Sequence, residues 1–469
     1  MDFTEIRLSG KTRREHDLLG EMEIPAEYYF GVQTMRAVEN FHISRVRLNF
    51  FPELIRALAD VKQGAAMANR DLGLLDPAIA DAIIRACEEL RAGKLEEQFV
   101  VDMVQGGAGT STNMNCNEVI CNLACEHLGL AKGDKKVSPN DHANFGQSTN
   151  DTYPTALHLS LILRSNVLLK AVEDLRDSFF RKAEETKGVL KMGRTHLQDA
   201  VPMTLGQEFH GWGFTIQDEL KVIREAQEHL KTINLGATAI GTCVTAHPDY
   251  PAKASAKLAE LTGIDFKNSD DLIAATSDCG AYVALSSAVK SLAVKLTKVC
   301  NDLRLLASGP RTGLSELILP QLQPGSSIMP GKVNPVIPEV VNQVAFDIIG
   351  KDVTITLAAE AGQLELNVME PIIAFTLFTG IRRLARAFST LQERCVAGIT
   401  ANTDRCRQLV ENSIGIVTAL NTRLGYETSA SIAKEALESG RSVMDLVLEK
   451  QLLTREELDE LLLPENMIH

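Results

Sequence analysis

Apolar residues at alternating steps of four and three limit what this chain can fold into more than any other feature. Leu285, Val289, Leu292, Leu296, Val299, Leu303 and Leu306 keep that spacing without a break. It is the a/d pattern of a long helix whose apolar stripe faces other helices. A second seam follows Leu157, Leu161, Leu168, Val172, Leu175 and Phe179 in steps of three, four and seven. A third, weaker one runs through Ile216, Leu220, Ile223 and Leu230 and is interrupted by the polar Gln227. Helices of this length cannot bury such seams alone. Several must lie side by side, and apolar surface left over would be shared between subunits. Aromatic residues are only 5% of the chain, and Gly and Pro cluster at a few places, which argues against an all-β protein. The expected fold class is all-α with a central long-helix bundle.

At 469 residues the chain exceeds what one hydrophobic core usually serves, so two or three domains are expected. Gly, Pro and polar residues gather at Gln105–Asn117, Ser138–Asp151, Met192–Pro202, Gly236–Pro251 and Gly309–Pro338. The last is long for a passive connection. After Gly398 the pattern shortens, and Thr454 with Glu457 forms a capping-box signature for the final helix. Boundaries near residues 143 and 397 give an N-terminal domain (1–143), a central helical-bundle domain (144–397) and a small C-terminal helical domain (398–469).

The net charge is −13, and the cations are scattered. Neither a nucleic acid nor a membrane is expected as partner, because each would want a concentrated basic surface. Met1 to His16 is charged and has no apolar stretch, and the longest apolar run, Pro371 to Ile381, is too short to cross a bilayer. Nine cysteines without a CxxC pair or zinc-type spacing read as reduced, buried thiols. A cytoplasmic enzyme is the expectation.

Four polar segments interrupt the helical pattern. They are Gly106-Gly-Ala-Gly-Thr-Ser-Thr-Asn-Met-Asn115, Gln147-Ser-Thr-Asn-Asp151, Gly193-Arg-Thr-His-Leu-Gln-Asp199 and Gly325-Ser-Ser-Ile-Met-Pro-Gly-Lys-Val-Asn-Pro335. Singly, each has a plain structural meaning: a helix cap, a tight turn, a satisfied polar histidine. The fourth is no nucleotide-binding loop, since its glycines are one residue too far apart and Val333 replaces Ser or Thr. Ser148 and Ser326 lack the Gly-x-Ser-x-Gly frame of a hydrolase elbow. Together the four offer hydroxyls and amides for carboxylates and a lysine to pair with one. That inventory suits a small dicarboxylate whose charge grows as a carbon-bound proton leaves.

The fourth segment is similar to the signature loop of the fumarase/aspartase superfamily, and the other three match that family's remaining motifs in order. The resemblance runs from Leu18-Leu19-Gly20 and Tyr29–Thr34 to Pro464–Ile468. Gly107–Ser111, Lys191–Pro202 and Leu364–Pro371 look like the aspartase branch, not class II fumarase. Phe145-Gly146 departs from a frequent Met-Ser and removes a hydroxyl beside the second segment.

This resemblance implies a three-domain fumarase/aspartase-like fold and reversible elimination of ammonia from L-aspartate to give fumarate through an enolate-type intermediate. It assigns Thr110, Ser148, Thr149 and Ser327 to the β-carboxylate, and Lys332 with Asn334 to the α-carboxylate. Ser326 is the implied base. Asn150, Thr195 and His196 are read as positioning the amine and α-carboxylate, because departing ammonia needs no general acid. No cofactor is required on this reading, and divalent-cation activation is left open. The implied assembly is a homotetramer in which three subunits build each site. The competing readings are fumarate hydratase and a non-catalytic structural member of the superfamily.

Overall fold

The computed structural model describes residues 8–461 and residue 463. The Pro464–Ile468 stretch of the resemblance and the first seven residues lie outside them. Helix accounts for 62% of the described residues. Its longest helices are Thr149–Glu185, Leu205–His229, Gly280–Leu306, Val336–Glu360 and Glu370–Arg394. Strands among the described residues form only two-stranded ladders, so the all-α expectation holds.

The seams explain these helices. Every residue from Leu285 to Leu306 on the four-and-three spacing is buried, and so is every residue of the second seam. Each such side chain contributes roughly 1.5–3 kcal/mol on leaving water, far more than helix propensity supplies. The third seam is also buried, Gln227 included. Its amide donates to the Ile162 carbonyl at 3.2 Å and to Asn166 Oδ1 at 2.9 Å. What looks like a gap in the pattern is a polar staple to the neighbouring helix.

Thr149–Glu185 is long and apolar enough to cross a membrane by length and composition, which counting uninterrupted apolar runs does not reveal. Within this fold 67% of its most apolar window is buried against protein.

The chain divides into two compact units, each discontinuous in sequence. One comprises Met1–Leu168, Val222–Lys290 and Asp347–Arg382. In it the helix Pro52–Asp71 packs on Pro77–Arg91 and Tyr250–Thr262, and Pro77–Arg91 on Thr110–His127. The other comprises Leu169–Lys221, Ser291–Phe346 and Arg383–His469. There Leu190–Thr195 and Gln198–Thr204 form a hairpin against the helix Thr403–Asn412, and Met192 enters an apolar cluster with Val410, Ile416, Leu420 and Leu446. The Thr454–Glu457 capping box is formed in both directions, at 2.8 and 3.2 Å. All nine cysteines are free, and all but Cys243 are buried.

Two expected breaks are shorter than the composition suggests. The helix Thr110–His127 begins within the Gln105–Asn117 run, because Asn113, Asn115 and Asn117 are buried with hydrogen-bond partners instead of facing a loop's solvent. Met192–Pro202 is mostly strand, turning at His196 and Leu197.

Candidate active site

The first unit holds Thr110, Ser148, Thr149 and Asn150. Thr110 opens its helix after three consecutive left-handed residues, Gly107 (φ +93°), Ala108 (φ +55°) and Gly109 (φ +91°). A side chain at Gly109 would meet the Tyr153 ring at 2.3 Å, so the turn that delivers Thr110 requires glycine there. Thr110 Oγ1 donates to the Gly107 carbonyl at 2.7 Å and is exposed.

Ser148, Thr149 and Asn150 open the helix Thr149–Glu185 beside it. Asn113 of the first helix donates to Thr149 Oγ1 at 3.1 Å, which joins the two helix starts and leaves the Thr149 hydroxyl proton free for an incoming carboxylate. Ser148 Oγ likewise accepts, from the Asn150 amide at 3.3 Å. The Asn150 side chain donates to the Ala239 carbonyl at 2.7 Å, which leaves its oxygen to accept from an ammonium group. Pro154, four residues on, has no N–H for the Asn150 carbonyl, and Asn234 Nδ2 takes that place at 2.9 Å.

Beneath these groups lies a buried polar network that sequence reasoning passed over. Lys62 is fully buried and donates to Asn144 Oδ1 at 3.0 Å and Gln147 Oε1 at 2.9 Å. Asn113 and Asn117 also converge on Asn144 Oδ1, each at 3.1 Å. The Asp151 carboxylate accepts from the amides of Ser148, Gly236 and Thr238 and from the Thr152 hydroxyl. Burial pushes Lys62 down to about 8 and Asp151 up to about 6. The network holds the 147–151 segment from behind. The available signal was a lone lysine in the alanine-rich stretch Ala57–Ala68, whose partners at residues 144 and 147 are remote in sequence.

The second unit holds Thr195, His196, Ser326, Ser327, Lys332 and Asn334. Thr195 pairs with Gln198 across a two-residue turn, and His196 (φ +54°) and Leu197 (φ +60°) are both left-handed. Such a turn favours Asn-Gly. Two side-chain-bearing residues cost roughly 1–2 kcal/mol each in that conformation, a strain typical of functional positions. Thr195 and His196 are exposed.

The loop at 325–334 closes on itself. The Gly325 amide donates to the Lys332 carbonyl at 2.7 Å, and Asn334 Nδ2 donates to the Gly325 carbonyl at 2.8 Å. Asn334 thus clasps the loop and keeps one N–H for other use. Ser326 Oγ accepts from two loop amides, Ile328 N at 3.2 Å and Met329 N at 3.1 Å. Ser327 and Lys332 are exposed. No hydrogen bond joins this loop to the hairpin tip among the described residues.

Residues 20–350 match the lyase family and residues 416–469 the fumarase C C-terminal family. Aspartate ammonia-lyase of Pseudomonas aeruginosa is 58% identical over 461 residues, 98% of this chain and 97% of that protein. The Escherichia coli enzyme of that name is 52% identical over 464 residues, 98% of this chain and 97% of its own. Among solved structures, a fumarate lyase:delta crystallin from Brucella melitensis bound to cobalt superposes with a TM-score of 0.94 at 51% identity, covering 97% of this chain and 99% of that one. Class II fumarase from Schistosoma mansoni reaches 0.91 at 34% identity, over 97% of this chain and 99% of its own. With the motif order, the long-helix fold and these full-length matches in agreement, the chain belongs to the fumarase/aspartase superfamily of lyases.

Proposed function

We propose that this chain is an aspartate ammonia-lyase, a carbon–nitrogen lyase that removes ammonia from L-aspartate to leave fumarate. The observation that carries the reading is the full-length likeness to aspartate ammonia-lyases at 52–58% identity. The class II fumarase is a more distant match, at 34%.

The chemistry asks for groups that bind the β-carboxylate more strongly once the carbon-bound proton has left and charge has moved into it. Thr149 and Ser148, with accepting oxygens already occupied and protons free, suit that task, and Thr110 and Ser327 complete the set in this proposal. Asn150 offers its free oxygen to the substrate ammonium. Thr195 and His196 position the amine and α-carboxylate, and Lys332 with Asn334 binds the α-carboxylate. Ser326 takes the proton: two amide N–H groups already point at its oxygen, and such donors favour the ionised form. Because the negative charge has a carboxylate to spread into, the elimination needs no organic cofactor.

The proposed assembly is a homotetramer. Phe346, Val353 and Leu357 are exposed at helical spacing on Val336–Glu360 in a single chain, an apolar face that asks for protein. The candidate groups are divided between the two units, and Thr110, Thr195, His196, Ser327 and Lys332 are exposed in a single chain. The three-domain division belongs to the same reading. Nine unpaired thiols fit a reducing compartment, and we assign the enzyme to the cytoplasm.

The test is to add L-aspartate to the purified protein and follow fumarate absorbance. Fumarate should accumulate. Fumarate from L-malate but not from L-aspartate would make the chain a hydratase, and none from either would make it a structural member of the superfamily.

A further inference from the structure

The strand Leu190–Thr195 carries two cations that do not face water. The side chains of Lys191 and Arg194 are only 3% and 13% exposed. Both meet Glu316, which is completely buried, with one carboxylate oxygen 3.2 Å from Lys191 Nζ and the other 2.6 Å from the Arg194 guanidinium. Glu208 meets Lys191 at 2.5 Å. Two positive and two negative charges thus share a nearly dry site. Taking ions out of water is costly enough that apolar side chains of similar volume often serve stability as well or better. The quartet therefore calls for a role besides stability.

Its geometry supplies one. Residues three apart on a regular strand point to opposite faces. The ladder of this hairpin shifts register between Met192 and Arg194, and that irregularity turns Lys191 and Arg194 toward one carboxylate. Glu316 itself is fixed on both sides. Its amide donates to the Leu306 carbonyl at 2.9 Å, and its carbonyl accepts from the Asn402 amide at 2.9 Å. The next residue, Leu317, pairs with Ala401, and Asn402 Nδ2 holds the Ser315 carbonyl at 2.9 Å. Glu316 is thus a rigid post at the base of the segment that continues to Ser326. The hairpin it grips ends in a strained turn that is exposed at its tip.

We propose that Glu316 is a positioning residue for Thr195 and His196: by holding Lys191 and Arg194 it sets where the hairpin tip stands relative to the base of the Ser326 loop. The inference rests on the reading above that Thr195 and His196 contact substrate.

Steady-state conversion of L-aspartate by the assembled wild type, Glu316→Gln, Arg194→Gln and the double variant tests it, with far-UV spectrum and oligomeric size recorded for each. In folded, assembled Glu316→Gln, KM should rise by roughly 10–100-fold, the scale of a small misplacement of binding groups, while kcat changes far less. A merely structural role would lower the folded fraction, and so the apparent kcat, at unchanged KM. Arg194→Gln removes one of the two pairs and should raise KM in the same direction. The double variant should be no worse than the worse single one, because the residues act as a unit. If Glu316→Gln does not assemble, Arg194→Gln decides alone. A folded variant with wild-type KM overturns the proposal. A wild type that makes no fumarate from L-aspartate overturns the functional reading first, and this one with it.

Discussion

A serine hydroxyl is a poor base in water, and an imidazole is the commoner choice for such a task. What favours Ser326 is the pair of loop amides that donate to its oxygen and so stabilise the form lacking a proton. His196 stands at an exposed hairpin tip, and an elimination that releases neutral ammonia gives it no acid task. Ser326→Ala should therefore lower kcat by roughly 10²–10⁴, the usual worth of a positioned proton-transfer group, with aspartate binding largely intact. His196→Ala should keep measurable turnover and bind aspartate more weakly. Steady-state kinetics with direct binding measurements on both variants checks this, and the reverse pattern would move the base to His196. Glu370 gives a second test at this scale. It is buried, accepts from the Tyr282 hydroxyl at 3.1 Å, and is pushed by burial from an ordinary 4.5 up to about 8. Between those values the folded protein keeps a proton that the unfolded chain has lost. Stability then falls as pH rises, by at most about 1.4 kcal/mol per pH unit. Below that window both states are protonated, and above it both are ionised. Glu370→Gln, which mimics the protonated acid, should raise Tm more at pH 8 than at pH 5. An equal shift at both would show that Glu370 is already ionised at neutral pH.

At the scale of elements, the turn before Thr110–His127 shows how tightly the site depends on backbone. Gly109→Ala would place a methyl group in the left-handed region, at roughly 1–2 kcal/mol, and drive it into the Tyr153 ring. Lower Tm together with a large loss of turnover is expected, and a variant with wild-type values of both would mean that the turn can relax without moving Thr110. The long helices were legible in advance because their burial repeats with the helical period, and Leu285 to Leu306 needs nothing but its own spacing. The Leu190–Thr204 hairpin was not. Lys191-Met-Gly-Arg-Thr-His-Leu-Gln198 lacks clean alternation, and His-Leu is not the Asn-Gly that announces such a turn. The candidate site was drawn as residue types, through motif resemblance. Its supports were not, because the partners of Lys62 come from residues 144 and 147, and those of Asp151 include the amides of residues 236 and 238. No local pattern encodes contacts of that separation.

For the whole molecule, the question is whether one chain or several build each site. The proposed β-carboxylate donors Ser148 and Thr149 belong to one compact unit and the proposed base Ser326 to the other. Apolar Phe346, Val353 and Leu357 remain uncovered in the single chain. If association covers that face and brings the 147–151 segment of one copy to the 325–335 loop of another, damage to the two segments on different chains can be separated. Ser326→Ala protein and Ser148→Ala/Thr149→Ala protein should each be nearly inactive alone. After dissociation, mixing in equal amounts and reassembly, a site draws an intact segment from one chain and an intact loop from another about a quarter of the time in a symmetric, randomly mixed oligomer. Activity should then recover to about a quarter of the wild-type value by the same count. If each site is built by one chain, every site in the mixture carries a defect, and activity stays at the level of the parents. The decisive measurement is fumarate production by the mixture, with subunit exchange confirmed by mass spectrometry of the reassembled oligomer, and no recovery despite proven exchange would sink the shared-site assembly.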